Sequence, residues 1–106
     1  MFEFLFKSNI KSVKVNDIGE LLGKINLIDV RETYEFKNGH LPSAKNIPVN
    51  KIIAEADKFL DKSKEYHIIC QSGARSSRVC NALNKSGFKV VNVSGGTSGY
   101  TGNIKR

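Results

Sequence analysis

The chain has 106 residues, with 17 Lys and Arg against 10 Asp and Glu, a formal charge of +7. That length suits one domain and one core, and 40% hydrophobic with 25% charged residues is an ordinary globular composition. No run approaches the ~20 apolar residues of a membrane span, and two cysteines with two histidines, at this spacing, exclude a zinc site.

The opening MFEFLF is apolar but short, and Glu3 interrupts it. Without a basic start or a small-residue cleavage site it is not a secretion signal. It reads as an edge strand or docking segment within a 1–12 extension of a single 1–106 domain, and the protein reads as cytoplasmic. Val13-Lys14-Val15 is a short predicted strand. Asn16 or Asp17 caps a predicted helix to about Leu22, with Ile18, Leu21 and Leu22 on one face, and Gly23 ends it. Asn26 to Val30 is an apolar strand broken only by Asp29. Thr33 caps a short turn of helix through Phe36, closed by Asn38-Gly39. Ala44 to Ile47 is a strand stopped by Pro48. Asn50 to Leu60 is helical, with Ile52, Ile53, Ala56, Phe59 and Leu60 as its buried stripe. Tyr66 to Cys70 is a second buried strand, and Gln71 to Ala74 form a loop. Arg75 to Ser86 form a helix with Val79, Cys80 and Leu83 inward. Lys89 to Val93 form the last strand, and Ser94-Gly95-Gly96 is a turn.

Alternating strands and helices predict an α/β fold, with a mainly parallel central sheet and helices on both faces. Near-continuous apolar strands such as LIDV and HIIC fit a sheet covered on both sides. Sites in such sheets lie beyond the carboxyl ends of the strands, where Asp29 to Arg31 and Cys70 to Arg75 fall. The basic residues are spread along the chain. The only compact basic cluster is Lys105-Arg106, so a solvated basic surface is favoured over a nucleic-acid site. Such a surface attracts small anions.

Cys70 lies where a buried strand enters a loop just before a helix. The loop Cys70-Gln71-Ser72-Gly73-Ala74-Arg75-Ser76 is built of small residues, and Gly73 permits backbone angles closed to others. It can curl into a nest of inward N–H groups, to which the helix adds its positive end. A thiolate there is stabilised, and Arg75 adds a permanent charge. Cys70 is therefore a candidate nucleophile, whereas Cys80 sits on the apolar stripe and is core. A Cys70–Cys80 disulfide is excluded by the roughly 7 Å limit on Cα separation. Asp29, costly to bury unpaired, is expected to anchor the site with Arg31 or Arg75. His40 fixes its loop by hydrogen bonding, and Glu32 and Glu35 are a solvated face or partners of nearby basic residues.

Cysteine phosphatases place five residues between nucleophile and arginine, enough to wrap a phosphate. Here four intervene, so the loop should wrap something smaller, such as one sulfur atom. The chain resembles the rhodanese family in four ordered motifs. Leu27-Ile28-Asp29-Val30-Arg31-Glu32 looks like the first signature, and Gly39-His40-Leu41-Pro42-Ser43-Ala44-Lys45-Asn46-Ile47-Pro48 is similar to the second. Cys70 to Arg75 resembles the six-residue active-site loop. Gly95-Gly96 matches the closing segment, with Tyr100 where tryptophan is usual. The likeness runs from about Val13 to Tyr100.

That resemblance implies a rhodanese-like domain in which Cys70 takes sulfur from thiosulfate or another small anionic, persulfide or polysulfide donor. Cys70 holds the sulfur as a persulfide and delivers it to cyanide, a thiol or a protein. Gln71, Ser72, Gly73, Ala74 and Arg75 form the substrate loop, and Asp29, Arg31 and Ser76 support it. No metal, organic cofactor, nucleic acid or membrane is implied. The motifs encode neither the donor and acceptor nor the oligomeric state. Two alternatives stand beside this reading. One is a non-catalytic sulfur-carrier or interaction module, and the other is a phosphatase or arsenate reductase, against which the short loop argues.

Overall fold

The computed structural model describes residues 10–106, so the MFEFLF segment lies outside the described residues. Five strands form one parallel sheet: β1 (Lys11–Lys14), β2 (Asn26–Asp29), β3 (Lys45–Asn46), β4 (Glu65–Ile69) and β5 (Lys89–Ser94), in the order β1-β5-β4-β2-β3. β4 is the central strand, so Cys70 emerges from the middle of the sheet at its carboxyl edge. Pairing runs past the strand ends there: Val30 N–H donates to the Ile69 carbonyl at 2.9 Å, and Ile47 N–H to that of Asp29 at 3.0 Å.

The helices are α1 (Thr33–Lys37), α2 (Val49–Ala54), α3 (Ala56–Phe59), α4 (Ala74–Lys85) and α5 (Gly96–Gly99). Alternation along the strands sends side chains to opposite faces. Ile28, Val30, Tyr66, Ile68 and Cys70 pack with Ile52 of α2 and with Val79, Cys80 and Leu83 of α4. Leu27, Ile69 and Val93 pack on the other face with Val15, Ile18 and Leu41, flanked by Tyr100 and Ile104. Helices thus cover both faces unequally. Among the described residues the second face carries the 3-10 turns Val15–Asp17 and Gly19–Leu21, with the short helix α5 resting on the first of them. No helix among the described residues is long and apolar enough to cross a membrane.

Several local expectations change. The helix expected from Asn16 to Leu22 is two 3-10 turns, with Gly19, a poor helix former, opening the second. Ile18 is buried but Leu21 is 41% exposed. The helix expected over 50–60 breaks at Glu55 (φ −133°, ψ 37°), which turns Ile53 outward while Ile52 and Leu60 stay buried. Thr33 lies inside α1, not before it: the N-cap is Glu32, whose N–H donates to Glu35 Oε1 at 2.9 Å. The Ser94-Gly95-Gly96 turn continues into α5.

Candidate active site

The apolar run Tyr66 to Ile69 ends β4 and delivers Cys70, 1% exposed, to the α4 side of the sheet. The chain then reverses through Gln71, Ser72 and Gly73 into Ala74, the first residue of α4. Gly73 is the N-cap, at φ 114° and ψ −16°, in the region that disfavours side chains. This conformation turns its N–H back onto Cys70 Sγ, at 3.0 Å. The Ser76 hydroxyl lies 3.4 Å from Sγ and also donates, to Gly73 O at 3.1 Å or Asn92 Oδ1 at 2.6 Å.

Two opposed effects act on the Cys70 thiol. Burial pushes its pKa up. The Ser76 hydroxyl and the N–H groups of Ser76, Gly73 and Ser72 pull it down and prevail, leaving it below the ordinary value. Cys80, one core layer away, has no such donors. Burial chiefly, and the charge of Cys70 secondarily, push it up to about 12. Both thiols are free. The two buried cysteines are therefore distinguished by their hydrogen bonding rather than by burial.

The supporting charges divide into two pairs. Asp29 is fully buried at the end of β2. It accepts the Arg31 backbone N–H at 3.0 Å, Arg31 Nε at 3.0 and 3.2 Å, and Arg31 Nη2 at 2.9 Å. The rest of that guanidinium reaches Gln71 Oε1 at 3.0 Å and Gly39 O at 2.7 Å. Asp29 therefore anchors the loop through Arg31, one of the two partners expected. Arg75, the other, turns instead to Glu35 of α1, with bidentate contacts at 2.7 and 2.9 Å. The Arg75 hydrogen bond is the chief reason that Glu35 is lowered to about 2, and Glu35 raises Arg75 in turn. The free positive charge expected of Arg75 is thus matched by a carboxylate. Helix α1 presents Glu35 through its capping contact, and of the two readings given to Glu35, a solvated face or a partner of a basic residue, the second holds.

The closing segment clamps the loop from outside. Thr97 N–H donates to Cys70 O at 2.9 Å, Ser98 N–H to Gln71 O at 3.0 Å, and Ser98 Oγ to the same oxygen at 2.9 Å. Gly96, at φ 62°, has no room for a Cβ, which would collide with the Gln71 and Cys70 carbonyls. Tyr100 packs beside Ile104 on the second core face. His40 is held as expected: its ring stacks 3.7 Å from that of Phe36, and Nδ1 bonds the Phe36 carbonyl at 2.8 Å. Asn46 of β3 ties the segment further, donating to Asp29 O and Arg31 O at 2.9 Å each. Asn92, which accepts from the Ser76 hydroxyl, is a residue that sequence reasoning missed. A polar residue inside the apolar run KVVNVS was its only signal.

A cleft of about 440 Å³ opens beside the loop between Arg31, Glu35, Asn38, Gln71, Thr97 and Ser98. Among the described residues no cluster suits a metal ion.

A buried cysteine facing backbone N–H and hydroxyl groups, at the carboxyl end of the central strand of a parallel sheet, is an arrangement that can stabilise a thiolate. The sequence pattern of the Rhodanese-like domain matches residues 14–103. The chain is 48% identical over 79 residues to the "Putative sulfurtransferase YtwF" of Bacillus subtilis, covering 74% of this chain and 76% of the relative. It is 38% identical over 79 residues to the "Putative sulfur carrier protein YrkF" of the same organism, covering 74% of this chain and 42% of that one. The crystal structure of SSP1007 from Staphylococcus saprophyticus is similar with a TM-score of 0.82 at 31% identity, over 92% of this chain and 100% of that one. The chain belongs to the rhodanese-like family.

Proposed function

We propose that this protein is a sulfurtransferase that carries sulfane sulfur as a persulfide on Cys70. The observation that carries this reading is the Cys70 thiol held 3.0 Å from the Gly73 N–H and 3.4 Å from the Ser76 hydroxyl. Likeness to proteins named for sulfur transfer and sulfur carriage supports sulfur as the transferred group.

In the first step the Cys70 thiolate attacks the outer sulfur of a donor. With thiosulfate, the donor's S–S bond breaks, sulfite leaves with the electron pair, and Cys70 becomes a persulfide. In the second step an acceptor nucleophile attacks that outer sulfur. The S–S bond to Cys70 breaks, and the thiolate returns. Cyanide leaves as thiocyanate, and a thiol leaves as a persulfide. The electron count closes without a redox partner, and the two half-reactions predict ping-pong kinetics.

The test is intact mass after exposure to sulfur donors. Wild-type protein gains one sulfur atom, Cys70→Ser gains none and loses turnover, and Cys80→Ser keeps both. Sulfur on Cys80 would overturn the assignment. Efficient cleavage of an aryl phosphate, with no sulfur uptake from any donor, would replace it with the phosphatase reading.

A further inference from the structure

We infer that Glu35 is a specificity-determining residue that biases the Cys70 site toward low-charge persulfide donors and against dianions such as thiosulfate. This inference rests on the sulfur-transfer reading and deepens it.

Two guanidiniums reach the loop, and each meets a carboxylate. Arg31 is bound to Asp29, with side chains 4% and 0% exposed. Arg75 is bound to Glu35, with side chains 30% and 19% exposed. Among the described residues, the two guanidiniums that touch the loop are therefore both matched, and a further one, Arg106, reaches only the cleft's far wall, where Nε donates to Asn38 O at 3.2 Å. The protein's overall charge of +7 draws anions from a distance, but it is largely screened beyond about 8 Å at physiological salt. A dianion approaching Cys70 sheds water beside two guanidiniums whose charge is already matched by carboxylates.

Glu35 is the adjustable member of the set. Asp29 holds the loop together through Arg31 and Gln71, so removing it disturbs the architecture. Glu35 lies at the partly exposed rim, lines the cleft beside Gln71, and touches the loop only through Arg75. Apart from Arg31, which is paired with Asp29, the rest of that cleft wall is uncharged, Asn38, Thr97, Ser98 and Ile104 among it. It suits the organic portion of a persulfide better than a sulfonate. The hydroxyl oxygen of Thr97 is buried there without a hydrogen-bond partner among the described residues.

With such a donor, R–S–SH, the Cys70 thiolate attacks the terminal sulfur. The donor's S–S bond breaks, the R–S thiolate leaves with the electron pair, and Cys70 holds the transferred sulfur. No oxidant or reductant is consumed.

The experiment compares sulfur uptake from thiosulfate and from 2-hydroxyethyl persulfide, followed by intact mass at low ionic strength. Glu35→Gln keeps an oxygen for the Glu32 N–H and for Arg75 but removes the negative charge. The rate with thiosulfate should rise by about fivefold, the order expected for one unit charge acting on a nearby dianion. The rate with the persulfide should stay within about twofold, since its charge is at most one. The gain should fade at ~0.5 M salt. Adding Arg75→Gln to Glu35→Gln should abolish the gain, because it restores charge neutrality. A distorted loop would not recover in this way. A thiosulfate rate that is unchanged, or that moves by the same factor as the persulfide rate, overturns the inference while leaving Cys70 as carrier. If wild-type Cys70 takes sulfur from neither donor, the sulfur-transfer reading falls and the selectivity falls with it.

Discussion

Replacing Asp29 by Asn probes the strongest polar anchor of the site. The carboxylate is fully buried and receives four donor contacts from Arg31 between 2.9 and 3.2 Å. Asparagine keeps one oxygen, but it turns the other position into a donor facing a guanidinium that is 4% exposed. Removing one partner of a buried pair costs about 3–5 kcal/mol, chiefly through the uncompensated charge left behind. Gln71 Oε1 and Gly39 O still accept from Arg31, so the low end, about 3 kcal/mol, is expected. That is a large share of the roughly 5–15 kcal/mol available to a small domain. It corresponds to a fall in Tm of roughly 12–24 °C. Urea melts of wild type and Asp29→Asn measure it. Asp29→Asn combined with Arg31→Met should be more stable than Asp29→Asn alone, because the orphaned charge is gone. A loss below about 1 kcal/mol, the range of an exposed pair, would refute the claim that Asp29 and Arg31 hold the loop in place.

Three further outcomes follow from the same geometry. Alkylation of Cys70 against pH, in a Cys80→Ser background, should have its midpoint below the ordinary thiol value, and Ser76→Ala should raise it; an unmoved midpoint would remove Ser76 from thiolate stabilisation. Gly96→Ala, forced into φ 62° against the Cys70 and Gln71 carbonyls, should displace the loop and slow sulfur uptake more than tenfold (an order-of-magnitude expectation for misplaced reacting groups), whereas Ala at the less crowded Gly99 should be mild. Glu35 is lowered to about 2 from its ordinary 4.5, so its pairing with Arg75 stabilises the fold fully above the ordinary carboxylate range and is lost as pH falls toward 2. Acid titration of stability should therefore be flatter over that window in Arg75→Met than in wild type.

The sequence by itself determined the class of fold and the place of Cys70 at the end of a buried strand. Runs such as LIDV and HIIC are apolar on both faces, which only a covered parallel sheet satisfies. A cysteine followed by small residues, Gly73 and a helix can form only a few local geometries, and the observed one lies among them. Cys80 was legible as core because Val79, Cys80 and Leu83 repeat at helical spacing. Tertiary structure alone decided the charge partners. Asp29 could reach Arg31 or Arg75 on sequence grounds, and the choice turned on which guanidinium the packing of α1 left free. Glu35 takes Arg75 across 40 residues of chain, and Asn92 meets Ser76 from the neighbouring strand across 16. Local pattern reports which face of an element is apolar, because that depends on periodicity. It does not report which polar side chains meet at the end of a sheet, because that depends on the register and tilt of elements packed together from distant parts of the chain.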